Sequence, residues 1–407
     1  MKQGHEIGDG NNTSSRGKTI NHTTCAAHHL QMSWRILHKT NFFVLLAKPN
    51  MEKAKKSLEL ISEEESNLVT RLAVPAHRVG SGFSFYEDFA LKGIRVDRVE
   101  PGLVVCSFKV PPRLTDRSGK LANGAIANLV DEVGGAVVHV EGLPMSVSVD
   151  MSISFMSTAK LNDDLEISSK VLGKRGGYSG TLVLMRNKAT GEVIAEGRHS
   201  LFGCLEVMKS SKAPSSRRLW LTLMVLRYWK TRISNRREPN GGEDQKASME
   251  KKENECVELS LPESDTVLRI VIPPQRPGEA SFYENFAIRG IRVDQAEPGL
   301  VVCTFKVPPR LTDRAGNLSN GAIANLVDIV GSYVTYTGGL IRNVSADISI
   351  SYMSTAKLDD EVEITSKRLG QKGGYTGILV LLRNKATGDV IAEGRHSMFC
   401  LDSASKL

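Results

Sequence analysis

Asp131 and Asp328 close the same nine-residue segment, NGAIANLVD, at 123–131 and again at 320–328. The rest of that segment is apolar, small or asparagine, so the carboxylate at its end is a candidate for chemistry. With the following EVGGAVVHVEG the apolar positions do not alternate with a period of two, and the stretch reads as one long helix. The first N–H groups of a helix lack partners within it and carry the positive end of its dipole. A carbonyl oxygen that gains negative charge during a reaction is stabilised in such a place. Asp131 lies eight residues beyond Asn123, roughly 12 Å along the axis, whereas a reacting group must come within about 3 Å of its target. Asp328, on a second helix packed antiparallel beside the first, meets that requirement, and Asp131 in turn would serve the start at Asn320. The competing reading is an exposed aspartate or a local ion-pair partner. Against it, Leu129-Val130 and Val133-Gly134 predict burial, which is expensive for an unpartnered carboxylate.

Two helices held in this way need a scaffold, and the flanking residues describe one. GIRVDRV and LVVCSFKV flank Glu100-Pro101-Gly102 and predict a hairpin. The helix is apolar or small on nearly every face, so the rest of its domain must wrap it. SVSVDMSISFM alternates, with Val147, Val149, Met151, Ile153 and Phe155 expected on one face and Ser148, Asp150, Ser152 and Ser154 on the other. DDLEISSKVLGK, YSGTLVLMRNK and EVIAEGRHSLF predict further strands. His199 and His396, in GRHS near the end of the last strand, read as packing or rim residues. The expected fold is α+β, an antiparallel sheet curled around one long buried helix.

That unit occurs twice. A shift of 197 positions aligns 84–203 with 281–400 without a gap, at roughly 70% identity. EPGLVVC, FKVPPRLTDR, MSTAKL, RNKATG and VIAEGRHS recur. Such a length exceeds any solenoid repeat and marks two copies of a small domain, packed as an intramolecular pseudodimer. Met51 and Met249 each open a similar stretch upstream of a copy, which fits fusion of two neighbouring genes. The expected organisation is an irregular extension over 1–80, domains over 81–203 and 279–402, a basic linker over 204–278 and a short tail over 403–407. A flexible linker of about 75 residues has an r.m.s. reach near 48 Å, enough for the copies to dock.

Composition narrows the function. Hydrophobic content of 41% and charged content of 24% are those of a soluble globular chain, and no apolar run is long enough to span a bilayer. The net charge of +8 sits largely in 217–237 without an accompanying aromatic pattern, which disfavours nucleic acid. Six scattered cysteines, with no Cys-x-x-Cys, offer no metal site and fit a reducing compartment.

LANGAIANLVD, SVSVDMSISFMSTAKLNDDLEI and NKATGEVIAEGRHS, in this order and spacing, resemble the hotdog-fold acyl-CoA thioesterases of the phenylacetic-acid-degradation type. The resemblance covers about 83–203 and 280–400. It implies hydrolysis of acyl-CoA to free acid and CoA, without metal or cofactor, at sites shared between two hotdog domains. By position it implies Asp131 and Asp328 as general base or nucleophile, Ser148 and Ser345 orienting water, and the amides of Asn123 and Asn320 on the thioester oxygen. Gly124, Gly321, Asp116, Asp313, Arg113 and Arg310 are the further substrate-binding candidates, with turn capping the competing role for Asp116 and Asp313. The chain departs from the family's His-Gly-Gly with Ala122-Asn123-Gly124 and Ser319-Asn320-Gly321, which leaves a non-catalytic acyl-CoA-binding protein as the alternative. Further association of pseudodimers is compatible with the resemblance. Ser405-Lys406-Leu407 has the form of a peroxisomal address read by an import receptor, with the cytoplasm as the alternative location.

Overall fold

A computed structural model describes residues 55, 58, 59, 68–72, 74, 84–140, 146–203, 267–274, 279–337 and 343–400. The expectations for 1–50, for the basic stretch 217–237 and for Ser405-Lys406-Leu407 lie outside the described residues.

The first copy opens with α1 (Phe85–Leu91), which the sequence reading did not anticipate. Ser84 and Glu87 close a capping box there, each side chain meeting the other residue's backbone N–H. β1 (Arg95–Glu100) and β2 (Leu103–Lys109) form the expected hairpin, and a single 3-10 turn at Pro112–Leu114 leads into α2 (Asn123–His139). Four strands follow: β3 (Ser146–Phe155), β4 (Asp164–Arg175), β5 (Tyr178–Asn187) and β6 (Val193–Gly203). The second copy repeats this order as α3 (Phe282–Ile288), β7 (Ile291–Glu297), β8 (Leu300–Lys306), α4 (Asn320–Thr337), β9 (Asn343–Tyr352), β10 (Glu361–Lys372), β11 (Tyr375–Asn384) and β12 (Val390–Cys400).

All twelve strands belong to one antiparallel sheet in the order β1-β2-β4-β5-β6-β3-β9-β12-β11-β10-β8-β7. Each half curls its six strands around its own helix, a hotdog in each case. β3 and β9 join the halves through five pairs, from Asp150↔Ser351 to Ser154↔Asp347. Ser154 and Ser351 hydrogen-bond Asp347 and Asp150 across this seam, both at 3.1 Å. Inside, α2 buries Leu129, Val130, Val133 and Val137 and α4 buries Leu326, Val327, Val330 and Val334 completely or nearly so.

The two long helices also pack on each other. A Cβ on Gly124 would lie 1.5 Å from Asn325 Oδ1, and one on Gly321 would lie 1.4 Å from Asn128 Oδ1. Contacts of 124 with 325 and of 128 with 321 require the helices to run antiparallel. Only glycine permits so close an approach, so Gly124 and Gly321 serve the helix pair itself. Tyr86 and Tyr283 donate to Asn128 and Asn325, both at 2.8 Å, and Asn325 donates back to Tyr86 at 3.4 Å. Burial pushes both phenols above their ordinary pKa and keeps them protonated. Phe89 and Phe286 stack at 3.8 Å between ring centres and close the interface beyond.

The alternation expected for SVSVDMSISFM does not hold throughout. Ser146 and Ser148 are buried while Val147 is 56% exposed, and only from Met151 onward do the apolar residues face inward. A bulge between Ser148 and Asp150, opposite Ser200–Leu201 of β6, inverts the parity. β9 carries the same irregularity at Ala346, between Ser345 and Asp347. An extra residue in one strand of an antiparallel pair re-aims the side chains beside it. Here it turns Ser148 and Ser345 towards the helices and separates Ser148 from the face of Asp150.

Candidate active site

Burial and the bulge bring three polar side chains together in each half. Ser148 Oγ donates to Asp131 Oδ1 at 2.8 Å, and Ser345 Oγ donates to Asp328 Oδ1 at the same distance. His199 Nε2 lies 3.2 Å from Asp131 Oδ1, and His396 Nε2 lies 3.5 Å from Asp328 Oδ1. His396 Nε2 also meets Ser345 Oγ at 2.9 Å. Both histidines are 1% exposed, which corrects their reading as rim residues. Each ring sits on the helix where a glycine follows the aspartate by three positions. A Cβ on Gly134 would be 2.9 Å from His199 Nδ1, and one on Gly331 2.7 Å from His396 Nδ1. The signal was present as Asp-x-x-Gly on the helix and a Gly-Arg-His strand, but nothing local links the two.

Burial lowers the His396 pKa, against the opposing pull of Asp328 and Asp347, so the ring is neutral. Its Nδ1 meets no hydrogen-bond partner among the described residues. A proton there would be a buried, unsatisfied donor, so the ring keeps its proton on Nε2. The chain of donors then runs from His396 to Ser345 to Asp328.

The other half completes the site. Asn123, the first residue of α2, donates from Nδ2 to Asp328 Oδ1 at 3.3 Å across the interface. Ala122 caps this helix in extended conformation without a side-chain bond, and its carbonyl accepts the first helical bond, from Ile126. The N–H groups of the first turn therefore have no partner from the helix's own ladder. Asp328, Ser345, Asn123 and Gly124 line one cavity of about 700 Å³ between the halves. On the other side of the pseudo-twofold, Tyr352 donates to the carbonyl of Asn320 at 3.4 Å. Burial, and then the charges of Asp131 and Asp150, raise its pKa.

Other candidates hold different places. Arg113 Nε donates to the Phe89 carbonyl at 2.7 Å and Arg310 Nε to the Phe286 carbonyl at 2.8 Å. Their second donors reach the carbonyls of Lys92 and Arg289. Burial lowers both pKa values to about 10. These arginines pin the 3-10 turns at Pro112–Leu114 and, in the second copy, Pro309–Leu311 to the ends of α1 and α3, so the expectation that they bind substrate is corrected. Asp116 borders the cavity, but its Oδ1 accepts from Ser118 N at 2.8 Å and Lys120 N at 3.0 Å. Asp313 Oδ1 accepts from Ala315 N and Asn317 N in the same way. Both carboxylates cap their turns, the competing role foreseen for them. Arg117 and Arg314 form ion pairs across the interface with Glu284 and Glu87, each at 2.9 Å. Among the described residues no group of His, Cys, Asp and Glu side chains could hold a metal ion, and no helix is long and apolar enough to cross a membrane.

A model of the thioesterase superfamily matches residues 118–180 and 315–373, one region in each half. Acyl-coenzyme A thioesterase 13 of Homo sapiens is 43% identical over 101 residues, which is 25% of this chain and 72% of the relative. Its Mus musculus counterpart is 33% identical over 114 residues, 28% of this chain and 81% of that one. The crystal structure of zebra fish thioesterase superfamily member 2 is 37% identical and covers 28% of this chain and 84% of that chain, with a TM-score of 0.27.

Proposed function

The chain belongs to the thioesterase superfamily, and on that premise we propose that it hydrolyses acyl-CoA to free acid and CoA at two composite sites. Each site takes its carboxylate, serine and histidine from one half and its helix start from the other. The observation that carries this reading is the contact of Asn123 with Asp328 beside a cavity lined by both halves.

In the Asp328 site the thioester oxygen would face the N–H groups at the start of α2, where developing negative charge is stabilised by donors already in place. Asp328 takes a proton from a water oriented with Ser345, and the resulting hydroxide adds to the carbonyl carbon. The tetrahedral intermediate then collapses, the C–S bond breaks, and the proton passes from Asp328 to the departing CoA sulfur. A neutral His396 fits this role, because a cation beside Asp328 would weaken it as a base. Asp131, Ser148 and His199, with the start of α4, would act in the same way.

The test is thiol release from a panel of acyl-CoA thioesters. An Asp131→Ala/Asp328→Ala double variant is expected to lose about 10²–10⁴-fold in kcat while keeping its fold by circular dichroism. Undiminished turnover in that variant would remove the two aspartates from the mechanism.

A further inference from the structure

The two copies diverge unevenly. Of the 20 aligned pairs 131–150/328–347, 11 differ, whereas only 24 of the other 100 pairs do. This stretch begins at the catalytic aspartates and runs down the helix face that borders the cavity. On α4 that face carries Ile329, Ser332, Tyr333 and Tyr336, all lining the cavity of the Asp328 site. Their spacing of i, i+3, i+4 and i+7 places them on one stripe. The other half adds Phe155 to the same cavity. On α2 the equivalent positions are Glu132, Gly135, Ala136 and His139, and the counterpart of Phe155 is Tyr352.

The aromatic wall is also braced. Tyr333 and Tyr336 lie 5.4 Å apart between ring centres, tilted by 41°. Tyr333 lies within electrostatic reach of Arg117 of the opposite half, and Glu284 holds that arginine at 2.9 Å. Tyr333 is 7% exposed. Two tilted rings, with a third from across the interface, offer a flat guest stacked and edge-to-face contacts that a flexible chain cannot exploit as well. In the other copy the position of Tyr333 is held by the much smaller Ala136.

Resting on the hydrolase reading above, the geometry points to a division of labour: the Asp328 site selects thioesters of flat aromatic acids, and the Asp131 site does not. Ile329, Tyr333, Tyr336 and Phe155 are its specificity-determining residues. Glu132 sets the Asp131 half apart further, since it stands at the position where Ile329 gives the other site an apolar wall.

Full-length Asp131→Ala retains only the Asp328 site, and Asp328→Ala only the Asp131 site. Thiol release from phenylacetyl-CoA and from decanoyl-CoA gives each variant an aromatic-to-alkyl ratio of kcat/KM. The ratio in Asp131→Ala is expected to exceed that in Asp328→Ala by about tenfold or more, in line with what a few pocket contacts can discriminate. Tyr333→Ala/Tyr336→His in the Asp131→Ala background should remove most of the difference. Should that variant fail to fold, Ala136→Tyr/His139→Tyr in the Asp328→Ala background should raise the ratio instead. Equal ratios, a higher ratio in Asp328→Ala, or activity confined to the Asp131 site would overturn the division while leaving the hydrolase reading intact. Absence of thiol release from the wild-type chain would overturn the hydrolase reading itself.

Discussion

The halves agree where geometry must be exact to a fraction of an ångström and differ where it need not be. In both, serine meets aspartate at 2.8 Å, a bulge aims that serine, and a glycine three residues on admits the histidine. Around these groups the surroundings diverge. The Arg314–Glu87 pair is 7% and 6% exposed, whereas its counterpart, Arg117–Glu284, is 40% and 18% exposed and borders the cavity. The same sequence thus makes a structural brace on one side and a wall of the site on the other. Duplication leaves each site free to change its lining as long as the reacting constellation and the helix pair stay fixed.

The sharpest way to break this comparison is to remove each arginine. Arg314→Gln leaves Glu87 buried without its partner and is expected to cost about 3–5 kcal/mol, read as a fall in the urea midpoint at unchanged slope. Arg117→Gln, at the exposed pair, should cost under about 1 kcal/mol, and its effect should appear in turnover of aromatic substrates. Equal losses of stability would mean that the two pairs are not the different devices they resemble.

A somewhat smaller effect is expected at the histidines. In the Asp131→Ala background, His396→Ala should lower kcat about 100-fold through misplacement of Ser345 and Asp328, with KM little changed. His396→Gln keeps an N–H that can reach Ser345 and should recover part of the loss, a rescue that simple packing would not produce. His199→Ala in the Asp328→Ala background should behave likewise. Unchanged kcat in either would remove that histidine from the donor chain.

Much of this was legible in the residues because it repeats at short range. The long helix, the hairpin at Pro101-Gly102 and the four later strands follow from periodicity and turn chemistry, and the antiparallel helix pair follows from the 12 Å reach argument. The capping box at Ser84 and Glu87 was readable from its spacing, although α1 is too short to stand out by periodicity. Two features were not legible for physical reasons. The bulge at Val149 changes no residue type, and SVSVDMSIS alternates cleanly straight through it. His199 meets Asp131 from a strand 68 positions along the chain, and only the curl of the sheet brings them together. Arg113 shows the converse, since it stood among the substrate-binding candidates until the carbonyls of Phe89 and Lys92 proved to hold it.

The tyrosine–asparagine quartet should treat both halves nearly alike. Tyr86→Phe and Tyr283→Phe each leave a buried asparagine oxygen short of a donor and should cost about 1–3 kcal/mol. Tyr86 has the further contact with Asn325 at 3.4 Å, so its replacement should cost slightly more. A difference well beyond that in denaturation midpoints would show that the interface is less symmetric than its distances.

The finest distinction is one of pH. Burial depresses the His396 pKa below the ordinary value of 6.5, with Asp328 and Asp347 pulling the other way. Below about 6.5 the unfolded chain takes up a proton that the folded ring resists. The unfolded state then binds more protons, so this group's contribution to stability is fully present above that pH and is lost as the pH falls. Protonation would also set a cation beside Asp328 and weaken the base, so acid should slow the Asp328 site for the same reason. His396→Gln has nothing to titrate. Between pH 7.5 and 5.5 its urea midpoint should fall less than that of the wild-type chain, and in the Asp131→Ala background its acid limb in kcat should be shallower. Parallel midpoints and parallel limbs would mean that the ring titrates in the fold as it does in the unfolded chain, and a wild-type midpoint that falls less than the variant's would mean that the ring is charged in the fold. Either would require the donor order from His396 through Ser345 to Asp328 to be reassigned.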